Sequence, residues 1–480
     1  MRALAIDVGT SSVRTALVDE RGEVTATHQR RLSLASPEPG EVELDASEIA
    51  HLVLDLAHAT LDGVRADVVG VTNQRATTLV FDVATGQPVG PTLGWQDLRT
   101  VLDCLVLQGE GLRLAPNQSA TKARWLIEHS DVPAARLRVA TLESWVTWVL
   151  TKGSRHVSDR SNAAITGLVN LAVDDWDPTI LTTLGLDPGL LPRLVDTMGE
   201  VGPAVALPGS PPITALIGDQ PASLFGQSLV HGGAKITFGT GAMLNVVREG
   251  PGPLALTRFD SGCFPVVIRS RDGVVTWGVE GIVLSAGACV DWLVDLGVLE
   301  SVQDAEALAT SVPDAAGVSF VPAMSGLGTP QWDFGARSAF FGVTRGAGRA
   351  HLVRAVLEGV AQRGADLIEA GERETGAIVD EIRVDGGMSA NRFLLQRLAD
   401  FSGRDVAASR EREATTRGAG LMALVGADLI DLDDVAATWE ARERFTPHLD
   451  DDARDRARAQ WRDVVSRAAR TIPELSEVRF

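Results

Sequence analysis

The sequence predicts an α/β protein of two domains, and three observations support this. A chain of 480 residues, 45% of them hydrophobic, is too long for one typical core. Short apolar runs alternate with longer segments of helical periodicity. A strand, a polar turn and a second strand occur at residues 4–18 and again at 235–247, and repetition of a unit indicates a duplicated domain. We expect the boundary near residues 225–235.

The first strand-turn-strand unit contains residues suited to binding a phosphate and a cation. Gly9 to Ser12 is a tight turn rich in glycine and hydroxyl groups, and Asp7 ends the preceding strand. Such a turn can offer several N–H and O–H donors to a phosphate, and a carboxylate beside it can hold a hydrated divalent cation. The alternative is an ordinary hairpin with a polar turn.

Composition excludes several classes of function. The net charge of −19 argues against nucleic acid or an anionic membrane as the main partner. The sequence has no run of about 18 uncharged apolar residues, which a membrane-spanning helix would need, and its first residues do not show the pattern of a signal peptide. The three cysteines are far apart and form neither a metal motif nor a disulfide framework. We therefore expect a cytoplasmic protein.

The first half of the chain alternates strands, helices and polar loops. Polar residues follow a predicted strand at 68–72, and Arg75 lies among them; polar residues just past a strand end are where α/β proteins place ligand contacts. Trp95 lies in a second polar cluster, although core packing would explain it equally, and a surface ion pair would explain Arg75. The other elements predicted here are a strand at 24–34, helices at 45–61 and 141–150, a strand at 79–82, a loop entering a helix at 117–129 and a connector at 203–212.

Asp219 follows an apolar strand at 213–217, where a helix should begin. Aspartate is a good N-cap, particularly with proline close behind, and Pro221 fits that role. The other interpretation is a general base directed at a substrate hydroxyl. The residues around Asp219 are compatible with both interpretations, the N-cap and the general base.

The second half repeats the strand-then-helix order. The amphipathic helix at 351–371 has a clear apolar face, with Arg354, Glu358 and Asp366 off it. Glycines follow a strand at Asp385-Gly386-Gly387, before a helix that begins near Asn391, and such glycines allow a purine or phosphate to approach closely. The other predicted elements are strands at 274–279 and 318–322, a helix at 281–296 and an outer packing helix at 451–470.

Seven motifs follow one another along the chain: Asp7-Val-Gly-Thr-Ser-Ser12 with Arg14, Thr72-Asn-Gln-Arg75, Gly218-Asp-Gln220 with Leu224-Phe-Gly-Gln227, Gly239-Thr-Gly241, Gly326-Leu-Gly-x-Pro-x-Trp-Asp-x-x-x-Arg337, Arg354-Ala-x-x-Glu358-Gly and Asp385-Gly-Gly-x-x-Ala-Asn391. Their order resembles the FGGY carbohydrate kinases, with a pattern closest to the glycerol kinase branch, over about residues 2–445. The resemblance implies two actin-like (ribonuclease H-like) domains around a nucleotide cleft. Residues 1–228 would bind substrate, and residues 229–480 would bind most of ATP.

The resemblance also implies roles for individual residues. Asp219 would be the catalytic base, and Asp7 and Asp219 would hold Mg²⁺. The substrate contacts would be Arg75, Ala76, Trp95, Asn117, Asp219, Gln220 and Met243. The ATP contacts would be Thr10, Ser11, Ser12, Arg14, Thr240, Gly287, Asp291, Gly387 and Asn391, with Asp291 in place of a family glutamine. Phosphoryl transfer depends on positioning and on neutralising charge, which suits these residue types.

Three pocket positions depart from the glycerol kinase pattern. Ala76 replaces a glutamate, Asn117 a tyrosine and Met243 a phenylalanine. Losing the glutamate removes an acceptor for one substrate hydroxyl, and an unpaired hydroxyl discriminates strongly against a substrate. We therefore expect a polyol or ketose other than glycerol, with four or five carbons.

The alternatives are a pentulose kinase and a non-catalytic actin-like ATPase or sugar sensor. In either case, the expected partner is a small molecule, not a nucleic acid or a membrane. The resemblance further implies a homodimer or homotetramer.

Overall fold

The computed structural model describes residues 1–248, 250–411 and 413–478. The strands in chain order are β1 (Arg2–Val8), β2 (Ser12–Asp19), β3 (Val24–Arg31), β4 (Glu43–Leu44), β5 (Val68–Asn73), β6 (Thr78–Asp82), β7 (Gln87–Pro88), β8 (Thr92–Leu93), β9 (Leu137–Thr141), β10 (Val157–Asp159), β11 (Arg193–Val195), β12 (Met198–Pro203), β13 (Pro212–Gly218), β14 (Ala234–Phe238), β15 (Ala242–Val247), β16 (Phe264–Arg271), β17 (Val274–Val283), β18 (Ser319–Val321), β19 (Ala339–Phe341), β20 (Glu381–Asp385), β21 (Asp405–Ser409) and β22 (Ala441–Phe445). The helices are α1 (Ala46–Thr60), α2 (Val101–Gly109), α3 (Ser119–Glu128), α4 (Leu142–Leu150), α5 (Arg160–Ala163), α6 (Pro178–Leu184), α7 (Asp219–Gly226), α8 (Gly287–Asp295), α9 (Ala305–Thr310), α10 (Arg349–Thr375), α11 (Arg392–Ser402), α12 (Ala414–Gly426), α13 (Leu432–Ala437), α14 (Asp451–Ala468) and α15 (Pro473–Ser476).

Two large sheets organise the chain and share one plan. The first has the order β12-β13-β5-β1-β2-β3, and the second has the order β16-β17-β15-β14-β20-β21-β22. In each sheet an antiparallel hairpin continues into parallel strands: β1 pairs with β2 and then with β5, and β14 pairs with β15 and then with β20. The predicted duplication is therefore present as two sheets of equivalent topology.

Apolar residues on both faces of the central strands explain why helices cover each sheet. Six of the seven residues of β1 are buried, which is typical of strands covered on both sides. Helix α1 covers one face of the first sheet and is capped by Asp45, whose side chain accepts from the backbone N–H of Ser47 at 2.7 Å. Helix α10 packs on β15 and β17 in the second sheet.

The other face of the first sheet is covered by α12, which comes from the second half of the chain. Helices α12 and α7 pack so closely that a Cβ at Gly226 would lie 1.8 Å from the carbonyl oxygen of Ala414. A Cβ at Gly418 would lie equally close to the carbonyl oxygen of Ala222. Glycine is thus required at both positions, because any side chain would separate the two helices. The two halves are joined through this contact.

Two of the sequence-based predictions about the second half are wrong. The helix predicted at 281–296 covers only Gly287–Asp295, because β17 runs on to Val283 and pairs there with Ala242. Arg354 and Asp366 were predicted to lie off the buried face of their helix, but both are buried. They can be buried because each is paired: Arg354 with Glu358 at 2.9 Å, and Asp366 with Arg363 and Arg458.

Several element ends also differ from prediction. The strand predicted at 24–34 ends at Arg31, and the segment before α4 is the strand β9, which pairs with β6. Helix α14, predicted to run to residue 470, ends at Ala468. Within the described ranges, no helix is both long and apolar enough to cross a membrane.

Candidate active site

The ends of three parallel strands meet at one edge of the first sheet. The register aligns Val8 of β1 with Asn73 of β5, and Asn73 with Gly218 of β13. The residues that follow, Gly9, Gln74 and Asp219, therefore start three adjacent loops. Ligand sites in α/β proteins form at such strand ends.

The turn after β1 is closed by a hydrogen bond from the Gly9 N–H to the Ser12 carbonyl oxygen, at 2.9 Å. Ser11 is exposed at its tip, and Thr10 and Ser12 are half-buried beside it. The indole N–H of Trp95 donates to the Thr10 hydroxyl at 3.3 Å. Trp95, predicted as a substrate contact, thus lies directly against the predicted phosphate turn.

Asp7 and Arg14 pair across the first hairpin. The Asp7 carboxylate accepts from the Thr416 hydroxyl at 2.9 Å, and Arg14 binds Glu413 and Gln29. Burial raises the pKa of Asp7 to about 6, and the carboxylate of Asp219 adds to the rise. Asp7 is therefore a nearly buried acid close to Asp219.

Arg75 and Asp219 form the central contact of the site. The Arg75 Nε donates to Asp219 Oδ1 at 3.1 Å, and Arg75 Nη2 donates to Glu280 Oε2 at 2.7 Å. Asp219 is the first residue of α7, and Gly218 occupies the N-cap position without a capping side chain; the N-cap interpretation of Asp219 is therefore wrong. Its Oδ1 also accepts from the backbone N–H of Gln220 at 2.8 Å.

The other oxygen of Asp219 is available. No residue of the described ranges donates to Oδ2, and the Asp219 side chain is 30% exposed. Burial raises the pKa of Asp219, although the Arg75 guanidinium opposes the rise. A carboxylate held by one oxygen and open at the other can accept a proton from a bound hydroxyl.

Gln220 and Met243 connect the site to the second sheet. The Gln220 Oε1 accepts from Lys235 Nζ at 2.9 Å, and that ammonium also donates to the Thr237 hydroxyl at 2.7 Å. Met243 lies directly across the hairpin from Thr237 and is half-buried. The strand pair β14–β15 thus faces the loop that carries Asp219.

The remaining predicted substrate residues lie on loops of the first half. Ala76 is buried and has a left-handed backbone, with φ of 60°. Asn117 is exposed, and its carbonyl oxygen accepts from Lys122 Nζ at 3.4 Å. The same ammonium donates to the carbonyl oxygen of Gly94, next to Trp95, at 2.6 Å. Buried Lys122 thus ties the loops of Trp95 and Asn117 together, and nothing in the sequence pattern marked it.

The second hairpin turn packs against the start of α8. The N–H of Gly287 donates to the Gly239 carbonyl oxygen at 2.9 Å, and a Cβ at Gly287 would lie 2.6 Å from that oxygen. The Thr240 carbonyl oxygen accepts from the backbone N–H groups of Ala286 and Ala288. Asp291 lies one turn further along the same helix and is exposed.

The loop after β20 lies beside this turn because β14 and β20 are parallel, with Thr237 opposite Asp385. Gly386 has a φ of 86°, and its Cβ would lie 2.4 Å from the Phe238 carbonyl oxygen. A Cβ at Gly387 would meet nothing within 4 Å, and Asn391 caps α11 by accepting from the Leu394 N–H at 2.9 Å. The structure thus brings together Thr240, Gly287, Gly387 and Asn391 at one end of the second sheet.

Asp385 is a buried carboxylate in the Asp-Gly-Gly motif. Its Oδ2 accepts from the Ser223 hydroxyl at 2.9 Å and from the Gln227 amide at 2.8 Å. Its Oδ1 is buried without a hydrogen-bond partner in the part of the chain described. The residue joins the second sheet to α7.

A hydrogen-bonded network centred on Asp159 supports the loops that carry Arg75 and Asp219. Asp159 Oδ2 accepts from the Ser161 hydroxyl at 2.5 Å, and that hydroxyl accepts from the Gly218 N–H at 2.9 Å. Asp159 Oδ1 accepts from the Asn162 amide at 2.7 Å, and Asn162 exchanges hydrogen bonds with Asn73. The sequence pattern does not indicate this network, because Asp159 joins the two loops only in the folded chain.

The donor set fits Mg²⁺ bound together with a nucleotide. The described residues contain no cluster of three or more His, Cys, Asp or Glu side chains able to hold a metal. Mg²⁺ that accompanies ATP is usually held by one or two carboxylates, waters and phosphate oxygens. The neighbouring carboxylates of Asp7 and Asp219 match that donor set.

Comparisons with known proteins agree with this geometry. Residues 2–226 match the N-terminal domain of the FGGY family of carbohydrate kinases, and residues 234–427 match its C-terminal domain. Glycerol kinase of Aromatoleum aromaticum is 40% identical and that of Dechloromonas aromatica 39%, with 97% of this chain and 97–98% of theirs covered.

Solved structures show the same fold. The crystal structure of Plasmodium falciparum glycerol kinase with ADP matches with a TM-score of 0.90, at 25% identity over 100% of this chain and 99% of that one. Xylulose kinase from Lactobacillus acidophilus matches with a TM-score of 0.84, at 18% identity over 97% of both chains. The predicted two actin-like domains around a nucleotide cleft are confirmed by these matches. This chain belongs to the FGGY family of carbohydrate kinases.

Proposed function

We propose that this carbohydrate kinase transfers the γ-phosphate of Mg-ATP to a hydroxyl of a small polyol, with Asp219 as the general base. The observation that carries the proposal is the contact between Arg75 and Asp219, which leaves Asp219 Oδ2 free beside the loop of Thr10, Ser11 and Ser12. The base would take the proton of the attacking hydroxyl, while Arg75 and the Gln220 amide would orient the neighbouring hydroxyls.

The ATP site follows the arrangement of the two hairpin turns. Thr10, Ser11 and Ser12 would donate to the phosphates from one turn and Thr240 from the other. Gly287, Asp291, Gly387 and Asn391 would form the nucleotide pocket. Arg14 would need to exchange part of its contact with Glu413 for a phosphate oxygen. When bound, Mg²⁺ on Asp7 and Asp219 would neutralise phosphate charge.

The acceptor is proposed to be larger than glycerol. Buried Ala76 offers no side-chain acceptor, and Asn117 is shorter than the tyrosine of the glycerol kinase pattern. Because unpaired substrate hydroxyls cost binding free energy, glycerol itself would be a poor fit. A polyol of four or five carbons fills the extra space, and a pentulose is the second candidate because xylulose kinases share the fold.

The domain limits and cellular context are also proposals. We infer a substrate domain of residues 1–228 and an ATP domain of residues 229–480, with α12 of the second packing on the sheet of the first. We further propose a cytoplasmic enzyme that acts as a homodimer or homotetramer.

The test is ADP release with Mg-ATP across glycerol, erythritol, threitol, pentitols and pentuloses, beside Asp219→Asn. We expect a four- or five-carbon polyol to stimulate turnover and the substitution to abolish it. High efficiency with glycerol and none with larger polyols would contradict the substrate proposal. ATP binding without turnover on any acceptor would favour a sensor, and stimulation by a pentulose alone would favour that alternative.

A further inference from the structure

Three polar side chains lie side by side on the second sheet, and we call them the polar row: Lys235, Asn245 and Glu280. The register places Asn245 opposite Lys235 on one side and opposite Glu280 on the other. The alternate residues of the same strand, Leu244 and Val246, belong to the hydrophobic core. Since successive side chains of a strand point to opposite faces, the polar row faces away from that core.

The polar row faces the first half of the chain. Lys235 donates to Gln220 at 2.9 Å, and Glu280 accepts from Arg75 at 2.7 Å. Both partners belong to the proposed substrate site. Asn245 lies between Lys235 and Glu280, so it belongs to the part of the second sheet that contacts Gln220 and Arg75.

The amide orientation of Asn245 is fixed by chemistry. A carboxylate only accepts hydrogen bonds, so the Asn245 Nδ2 must face Glu280 Oε2, which it does at 3.1 Å. The oxygen Oδ1 therefore points away from Glu280. It is buried and has no hydrogen-bond partner in the described ranges, and the whole residue is 0% exposed. A buried acceptor without a donor costs free energy, which a ligand hydroxyl would recover.

Three consecutive contacts lead from the proposed base to Asn245. Asp219 binds Arg75, Arg75 binds Glu280, and Glu280 binds Asn245. A substrate with its reacting hydroxyl on Asp219 and the next hydroxyl on Arg75 extends toward Asn245 as its carbon chain lengthens. A hydroxyl can donate there, whereas a carbonyl group cannot.

We propose that Asn245 is a specificity-determining residue whose Oδ1 accepts a hydrogen bond from the distal hydroxyl of a four- or five-carbon polyol. This inference rests on the proposed function. The Arg75–Glu280 pair spans the two halves of the chain, and Asn245 is buried next to Glu280. The distal hydroxyl reaches Oδ1 when the two halves move apart at this pair to admit the substrate.

The experiment compares wild type with Asn245→Leu, which keeps a similar side-chain volume and removes the acceptor. Steady-state kcat/KM is measured for glycerol, for erythritol and for butane-1,2,3-triol, which is the four-carbon chain without the distal hydroxyl. We expect the substitution to lower kcat/KM for erythritol about 10- to 100-fold. The other two substrates should change less than about threefold, because neither carries the hydroxyl.

Two further variants distinguish the loss of the hydrogen-bond acceptor from a general loss of structure. Asn245→Ser is smaller and keeps a hydroxyl, so it should retain part of the erythritol preference. Val247→Ala, two residues along the same strand, alters apolar packing and should leave the ratio of erythritol to glycerol activity unchanged. Thermal unfolding of each variant is measured alongside.

The outcomes separate the two levels of the proposal. Equal losses on all three substrates, or no loss on erythritol, would overturn the role of Asn245 and leave the kinase function standing. If wild type phosphorylates glycerol and uses no longer polyol more efficiently, the role of Asn245 would also be overturned, whereas the kinase function would stand. Absence of acceptor-dependent turnover with every compound would remove the proposed function and this inference together.

Discussion

The guanidinium of Arg75 joins two carboxylates from different halves of the chain: Asp219 Oδ1 at 3.1 Å and Glu280 Oε2 at 2.7 Å. Arg75 lies 144 residues before Asp219 and 205 before Glu280. One charged group thus orients the proposed base and bridges the two halves of the chain. Because Arg75 occupies only one oxygen of Asp219, it positions the carboxylate without blocking it.

Asp219→Asn should abolish polyol-dependent ADP release, lowering kcat by about 10²- to 10⁴-fold, because the amide cannot take the proton of the attacking hydroxyl. Binding of ATP in the absence of Mg²⁺, measured by calorimetry, should stay within about threefold of wild type. Asp177→Asn is a matched control at the exposed N-terminus of α6, where asparagine caps as well as aspartate. A variant that keeps more than a tenth of wild-type kcat would exclude Asp219 as the base.

The rate should also fall on the acidic side of the pH profile. Burial raises the pKa of Asp219 above its ordinary value of 3.8, and only the deprotonated form accepts a proton. The acid limb of kcat/KM for the polyol should therefore lie at a higher pH than an ordinary aspartate gives. A flat profile down to pH 4 would contradict this assignment.

Arg75→Lys should raise the KM for the polyol about 10- to 100-fold, because an ammonium cannot bind Asp219 and a substrate hydroxyl side by side as the planar guanidinium does. The KM for ATP should change little. Arg124→Lys tests the same exchange in an exposed pair with Glu128 on α3, where no kinetic change is expected. Equal KM changes for both substrates would indicate a general loss of structure instead.

Much of this site could be predicted from short-range sequence patterns. The two hairpins follow from apolar runs around polar turns, and Arg75 and Asp219 follow from strand ends. Glu280 and Lys235 could not be predicted as partners of these residues, because they belong to strands of the other sheet. Their role depends on how the two halves pack, which no local pattern contains.

The two wrong predictions about the second half of the chain also arose because the outcome depends on distant packing partners. A short segment such as 281–283 fits a strand or a helix equally well until the partner strand is known. The polar residues Arg354 and Asp366 indicated an exposed face, since unpaired charges avoid the core. Pairing with Glu358, Arg363 and Arg458 removed that constraint.

Asp7 should make the stability of the ligand-free protein depend on pH. Its pKa is about 6 in the folded protein against an ordinary 3.8, so the folded state binds this proton more tightly than the unfolded state. The contribution is fully present below pH 3.8 and is lost as the pH rises through about 6. The loss corresponds to about 3 kcal/mol of unfolding free energy.

Asp7→Asn should remove this dependence, since the amide does not titrate. Denaturant unfolding between pH 4.5 and 8 should show the variant gaining on wild type as the pH rises. Mg-ATP should raise the melting temperature of wild type more than that of the variant, because the carboxylate is the proposed Mg²⁺ ligand. If the difference in unfolding free energy between Asp7→Asn and wild type did not change with pH, the raised pKa of Asp7 would be contradicted.

Ser161 should act as a positioning residue for Asp219. Its hydroxyl donates to Asp159 and accepts from the N–H of Gly218, the residue before the base. Ser161→Ala leaves that N–H without its partner and removes one contact of Asp159, so we expect kcat to fall about 10-fold. The KM for ATP should not change, because the phosphate turns are untouched.

Ser161→Thr keeps the hydroxyl and should restore most of the rate. Ser466→Ala, on the exposed side of α14, provides the matched control and should behave as wild type. The pH profile separates positioning from stability: a displaced Asp219 should shift its acid limb, whereas a merely weakened fold should lower the melting temperature with the profile intact. Loss of stability without a change in kcat or in the acid limb would therefore assign Ser161 to the fold alone.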